Sequence, residues 1–190
     1  MQTISVVVRV LGVSEVDNKV FLLFSDCKIK VYSVHPFSKP STITVEGLGT
    51  PRDIVACRDY LQLYVAESDC IWQVSTKDHQ QYEKWLTDPP FRIRALSIRP
   101  RSQRLLVTSE SCSLHQFSTT NREQLRVVNL AGLYVKLDLG VETTRGTFVV
   151  CHAGTSLDKR QSAVSKLNYI TLHIHESRLV YANLQYRKVQ

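Results

Sequence analysis

The stretch Leu63-Tyr64-Val65-Ala66-Glu67-Ser68-Asp69-Cys70-Ile71-Trp72-Gln73-Val74-Ser75 decides the fold. It opens on a dense apolar run, breaks at a short acidic turn and resumes as an alternating segment closing on serine. Alternation with a period of two marks a strand with one buried face, and Ser and Asp between the two runs favour a turn. The same arrangement stands upstream as Phe21-Leu22-Leu23-Phe24, Ser25-Asp26-Cys27 and Ile29-Lys30-Val31-Tyr32-Ser33. It stands downstream as Leu105-Leu106-Val107-Thr108, Ser109-Glu110-Ser111-Cys112 and Leu114-His115-Gln116-Phe117-Ser118. A fourth dense run is Phe148-Val149-Val150-Cys151; the four begin at 21, 63, 105 and 148, so 42, 42 and 43 residues separate them.

Further strands flank each copy. Before the dense runs come Val10–Val13, Asp53–Cys57, Ala95–Ile98 and Val135–Leu139; after the serine-ended strands come Thr42–Val45, Gln81–Leu86 and Leu125–Leu130. Short antiparallel strands, four to a repeat of about 40 residues, are the mark of a propeller blade. Helical repeats need a period of 3.6, and β-branched residues dominate here. A β-sandwich also uses many short strands but leaves the repeat interval unexplained. The expectation is an all-β, incomplete β-propeller of about four four-stranded antiparallel blades, the last divergent. Residues 1–154 carry the repeats, with blades starting near 10, 53, 94 and 135, and 1–9 read as the outer strand of a preceding blade. Residues 155–190 form a divergent tail whose strand-like pieces, Tyr169–His175 and Leu179–Leu184, either finish the last blade or form a separate hairpin.

Two of the copies resemble NHL-repeat propellers: Gly49-Thr50-Pro51-Arg52-Asp53-Ile54-Val55-Ala56 with Leu63–Ser68, and Pro90–Ser97 with Leu105–Ser109. The Gly-His and Trp-Asp marks of WD40 blades are missing, and YWTD-type propellers are the nearer rival. The resemblance implies a six-bladed ring, and six such repeats take about 250 residues, more than the 190 here. An open arc leaves sheet edges and apolar blade faces uncovered, so self-association through those edges is expected.

Composition fits a globular chain: 43% apolar, 22% charged, and 24 basic against 17 acidic residues for a net charge of +7. Cys27, Cys57, Cys70, Cys112 and Cys151 are odd in number and form no CxxC, which suits reduced thiols in a cytoplasmic protein. No segment approaches the roughly 20 apolar residues of a membrane span.

The turns between second and third strands share one face with the residues leading into each inner strand. That face is expected to carry Asp26, Arg52, Asp53, Glu67, Asp69, Arg92, Arg94 and Glu110, with His152 nearby. Mixed charges there suit a protein or peptide partner. The opposite face carries Arg99, Arg101 and Arg104, whose guanidinium forks suit phosphate; RNA binding is the alternative. Some NHL-type propellers bind RNA, so the resemblance adds to it, whereas no aromatic platform is interleaved with these arginines. His173 and His175 share one face of a strand-like piece and with Glu176 have the chemistry of metal ligands, but no third ligand stands in the right place, and Cys151-His152 point apart in a strand. No phosphate loop, HExxH or nucleophile elbow is present. The reading is a non-enzymatic scaffold with no cofactor and no metal.

Overall fold

The computed structural model describes residues 8–34, 39–99 (Arg99 by its backbone alone), 103–111 and 113–129, together with the backbone of four later strands. All regular structure among the described residues is strand, and no helix there is long and apolar enough to cross a membrane. Blade 1 comprises β1 (Val10–Val16), β2 (Lys19–Phe24), β3 (Lys28–Ser33) and β4 (Ser41–Thr44). Blade 2 comprises β5 (Asp53–Cys57), β6 (Gln62–Ala66), β7 (Cys70–Ser75) and β8 (Tyr82–Thr87). Blade 3 comprises β9 (Ile93–Arg99), β10 (Arg104–Ser109), β11 (Ser113–Ser118) and β12 (Gln124–Asn129). Blade 4 comprises β13 (Leu137–Glu142), β14 (Thr147–His152), β15 (Ala163–Asn168) and β16 (Ile174–Leu179). Each blade is an antiparallel sheet in chain order.

The dense apolar runs are the second strands and the alternating segments the third. The first strands pack in succession, β1 on β5, β5 on β9 and β9 on β13, so the blades form the arc of an incomplete propeller. Blade 4 draws β15 and β16 from the stretch read as a tail, at 163–168 and 174–179. Of the strand pieces expected there, only Ile174, His175 and Leu179 lie among the described residues; residues 1–7 also lie outside them.

Local chemistry accounts for the strand ends. Asp17 and Asn18 close the β1–β2 hairpin with φ of 52° and 58°, the left-handed pair that a two-residue hairpin turn needs and that Asn and Asp tolerate. Gly12 sits where β1 meets β5: a Cβ there would come 2.9 Å from Ile54 Cγ2, so only glycine lets the two inner strands approach so closely.

Two apolar seams hold the blades together. Phe21, Leu23, Ile29 and Val31 of blade 1 meet Leu63, Val65, Trp72 and Val74 of blade 2. Tyr64, Ala66, Ile71 and Trp85 of blade 2 meet Leu105, Val107 and Phe117 of blade 3. Each fully buried Leu, Val or Phe contributes about 1.5–3 kcal/mol of transfer free energy.

The seams correct one equivalence implied by the repeat. Leu63 and Val65 face the preceding blade, as Leu105 and Val107 do. Phe21 and Leu23 face the following blade instead, and Leu22, Phe24 and Tyr32 form a separate cluster on the other side. A one-residue slip turns a strand over, and the slip lies in the pairing of second with third strand: Leu23 pairs with Ile29 in blade 1, whereas in blade 2 the partner of Ile71 is Ala66, the repeat equivalent of Phe24.

Candidate functional site

Three arginines stand at corresponding places in successive blades. Arg9, Arg52 and Arg94 each immediately precede a first-strand residue paired with the second strand: Val10 with Phe24, Asp53 with Ala66, Ala95 with Thr108. Backbone bonds anchor two of them, Ser25 N donating to Arg9 O at 3.0 Å and Arg52 N to Ala66 O at 2.8 Å. Together with Leu11, Pro51, Asp53 and Ala95 they line an open concavity of ≈ 660 Å³.

The acidic groups nearby are committed to internal bonds. The Arg52 guanidinium pairs with the Glu110 carboxylate from the β10–β11 turn of the next blade. Arg52 chiefly, with the fields of Arg92 and Arg94, holds the Glu110 pKa below the ordinary glutamate value. Asp53, the one carboxylate among the described lining residues, accepts Ile54 N–H at 2.8 Å and, across the blade boundary, Leu96 N–H at 2.8 Å. Burial raises its pKa and outweighs those two amides. Asp53 therefore staples blade 2 to blade 3.

A second concavity of ≈ 370 Å³ adjoins blades 2 and 3, lined by Ser68, Asp69, Asp88, Phe91 and Arg92 among others. Backbone bonds build it: Ile93 N to Ser68 O at 2.7 Å, Asp88 N to Asp69 O at 2.9 Å, and Glu110 N to Arg92 O at 2.9 Å. Asp69 and Arg92 are exposed there. Asp26 is exposed on blade 1 and pairs with Lys28 at 3.1 Å.

Glu67, expected on the partner-facing rim, is instead buried, 6% exposed. Its Oε1 accepts Gly49 N–H at 2.8 Å and Thr50 N–H at 2.6 Å; its Oε2 accepts Trp72 Nε1–H at 2.7 Å and the Cys70 thiol at 3.2 Å. Burial pushes the Glu67 pKa up, but the Thr50, Trp72, Gly49 and Cys70 donors outweigh it and leave the pKa below the usual value. Burial and then the contact with Glu67 raise the Cys70 pKa to about 12. A carboxylate facing four donors is structural, because it has no acceptor capacity left for a partner.

Blade 3 holds a different group at the same register. Ser109 Oγ lies 2.6 Å from Ser113 Oγ, which lies 2.7 Å from His115 Nε2; His115 Nδ1 is 3.2 Å from Gln124 Oε1. The imidazole stacks on Phe91 with centroids 3.5 Å apart, and burial lowers its pKa, opposed by Gln124. A serine joined to a histidine has the outline of an activated nucleophile. Ser113 is only 4% exposed, however, and Ser109, Ser113, His115 and Gln124 line neither concavity above. From Ser109 to His115 the network is a buried chain of hydrogen bonds, and it ends on the exposed Gln124.

The arginines of the RNA reading lie elsewhere. Arg99 and Arg104 pair where β9 ends and β10 begins, the end of blade 3 opposite Arg94; Arg101 lies outside the described residues. Cys112 and His173 also lie outside them, and His152, His175 and Glu176 belong to strands described by backbone alone. No cluster of metal-ligating side chains occurs among the described residues. Sequence reasoning missed Arg9, by assigning it to a preceding blade. The signal was present: Arg9, Arg52 and Arg94 are 43 and 42 residues apart, the repeat interval itself.

No family model and no curated protein matches the chain. Solved structures do resemble it. A chain of Kuenenia stuttgartiensis hydrazine synthase superposes with a TM-score of 0.67 at 12% identity, over 94% of this chain and 51% of that one. A chain of a mitotic checkpoint complex gives 0.64 at 13% identity, over 89% and 53%. A chain of a nidogen/laminin complex gives 0.60 at 17% identity, over 88% and 79%. This chain thus spans about half the length of the first and second of these. At such identities the likeness concerns the fold alone, and with the four sheets above it makes the chain an incomplete β-propeller.

Proposed function

We propose that the chain is a non-enzymatic propeller scaffold that binds a protein or peptide partner at the end of the blades where Arg9, Arg52 and Arg94 stand. The observation that carries this reading is the grouping there of exposed or half-buried charges, Arg52, Asp69, Arg92, Arg94 and Glu110, around two neighbouring concavities. Residues on loops held by a rigid frame are the usual instruments of recognition. Propeller chains from a nidogen/laminin complex and a mitotic checkpoint complex share the fold, and both belong to protein assemblies. The NHL-like pattern of residues 49–68 points the same way. Free thiols at Cys27, Cys57 and Cys70 suit a reducing cytoplasm.

Site-specific photocrosslinkers at Asp69 and Arg92, with controls at Lys77 and Asn121 on the opposite end, test the reading. Discrete protein adducts from the first pair alone, competed by excess unlabelled chain, are expected. Equal adducts from both ends, RNA adducts, or adducts only at twice the chain's own mass would overturn it.

A further inference from the structure

We propose that the concavity lined by Arg9, Arg52 and Arg94 receives an acidic peptide segment, its Asp and Glu carboxylates seated on the guanidinium groups contributed by three successive blades. The inference rests on the scaffold reading and names the chemistry of its partner.

Charge is the first argument. Among the described residues the lining holds three guanidinium groups against one carboxylate, Asp53, whose two oxygens already accept backbone amides; at the rim the Arg52 guanidinium also carries the Glu110 carboxylate. A positive concavity with low-dielectric walls focuses its field on an incoming anion. Size is the second. At ≈ 660 Å³ the space lies within the range of ligand pockets, about 300–1,000 Å³, and accommodates several side chains.

The third argument is internal. The Glu110 carboxylate, carried in on a turn from the neighbouring blade, already docks on Arg52. The molecule therefore displays a carboxylate–guanidinium contact at this very rim, and the fields of Arg92 and Arg94 reach it as well. Paired guanidinium and carboxylate groups form charge-assisted hydrogen bonds roughly twice as strong as neutral ones. The described lining residues include no aromatic ring; Leu11, Pro51 and Ala95 are the apolar members among them. Single-stranded nucleic acid binds by stacking bases on aromatic side chains, and none of these described residues would stack a base. Aliphatic walls between arginines suit the methylenes and backbone of a peptide.

Fluorescence anisotropy with a labelled poly-glutamate peptide and the full chain tests the proposal. Binding should weaken as salt rises, since charge attraction supplies it. The double substitution Arg9→Ala/Arg94→Ala should weaken it at least about tenfold, a loss of about 1.4 kcal/mol. Arg9→Gln/Arg94→Gln, which keeps hydrogen-bonding side chains and removes the charges, should do the same. Arg58→Ala/Arg122→Ala, which removes two exposed arginines elsewhere, should leave affinity unchanged. Absent binding, equal binding of poly-lysine, unchanged affinity in both double variants, or tighter binding of poly-uridylate or inorganic phosphate would each overturn the proposal. Protein adducts at Asp69 and Arg92 alongside failure of poly-glutamate would sink this inference and leave the scaffold reading standing; failure of both would sink both.

Discussion

Blades 2 and 3 solve the same corner with opposite chemistry. In both, three register positions meet where the second strand turns into the third. They are Glu67, Cys70 and Trp72 in blade 2, and Ser109, Ser113 and His115 in blade 3. Blade 2 places a carboxylate there and surrounds it with donors, two of them the Gly49 and Thr50 amides of the loop joining blade 1 to blade 2. Blade 3 places hydroxyls and an imidazole there; the hydroxyls and the neutral imidazole can each donate to one neighbour and accept from another. The first arrangement ties one blade to the loop before it and depends on a charge. The second stays within its blade apart from the Phe91 stack and depends on none. A repeated backbone thus leaves the polar content of a buried position open, provided every donor finds an acceptor.

Substitutions can break or sharpen that contrast. Glu67→Gln should have the largest effect, because an amide group would turn donors toward donors on one side of the site. A loss of about 3 kcal/mol is expected, from bonds to a charged acceptor, read as a lower urea midpoint. The Glu67 pKa is depressed on folding. Its stabilisation is therefore present above the unfolded value of 4.5 and disappears as pH falls through the folded value. The variant should lack that acid-limb dependence, and an unchanged limb would remove Glu67 from its assigned role.

His115→Phe keeps a ring against Phe91 and removes two hydrogen bonds, so about 1–2 kcal/mol should be lost. Because the folded His115 pKa lies below 6.5, its contribution is present above pH 6.5 and falls away as pH drops through the folded value. Denaturation at pH 7.5 and pH 5.5 should show the wild type losing more stability on acidification than the variant (both pH values are roughly one unit either side of the imidazole's ordinary value). An identical pH response would show that the imidazole titrates as it does in the unfolded chain.

The smallest effects belong to the exposed inter-blade ion pairs. Arg58 with Glu15 joins blades 1 and 2 at 2.7 Å, and Arg122 pairs with Glu83 between blades 3 and 2. All four side chains are well exposed, so Arg58→Ala and Arg122→Ala should each cost under about 0.5 kcal/mol. A loss comparable to that of Glu67→Gln would mean that surface charge, rather than the buried corners, joins the blades.

Local pattern carried the architecture a long way. Alternation and turn residues located the second and third strands of the first three blades, and the interval between dense runs set the number of blades. Position in sequence could not distinguish Glu67 from Glu110, since both follow a dense run in an acidic turn. One is enclosed by Trp72, Cys70 and the Gly49–Thr50 loop, whereas the other lies on the surface against Arg52. That difference depends on which loop of the neighbouring blade arrives at the turn.

The chain's own periodicity determined that it folds as a succession of small antiparallel sheets, because strand alternation and turn chemistry act over a few residues. Only the packing of blade on blade decided which side of β2 faces its neighbour, which acid is enclosed, and that three arginines about forty residues apart border one concavity. Those outcomes depend on contacts between distant segments, and side-chain facing reverses with a single-residue shift in a strand.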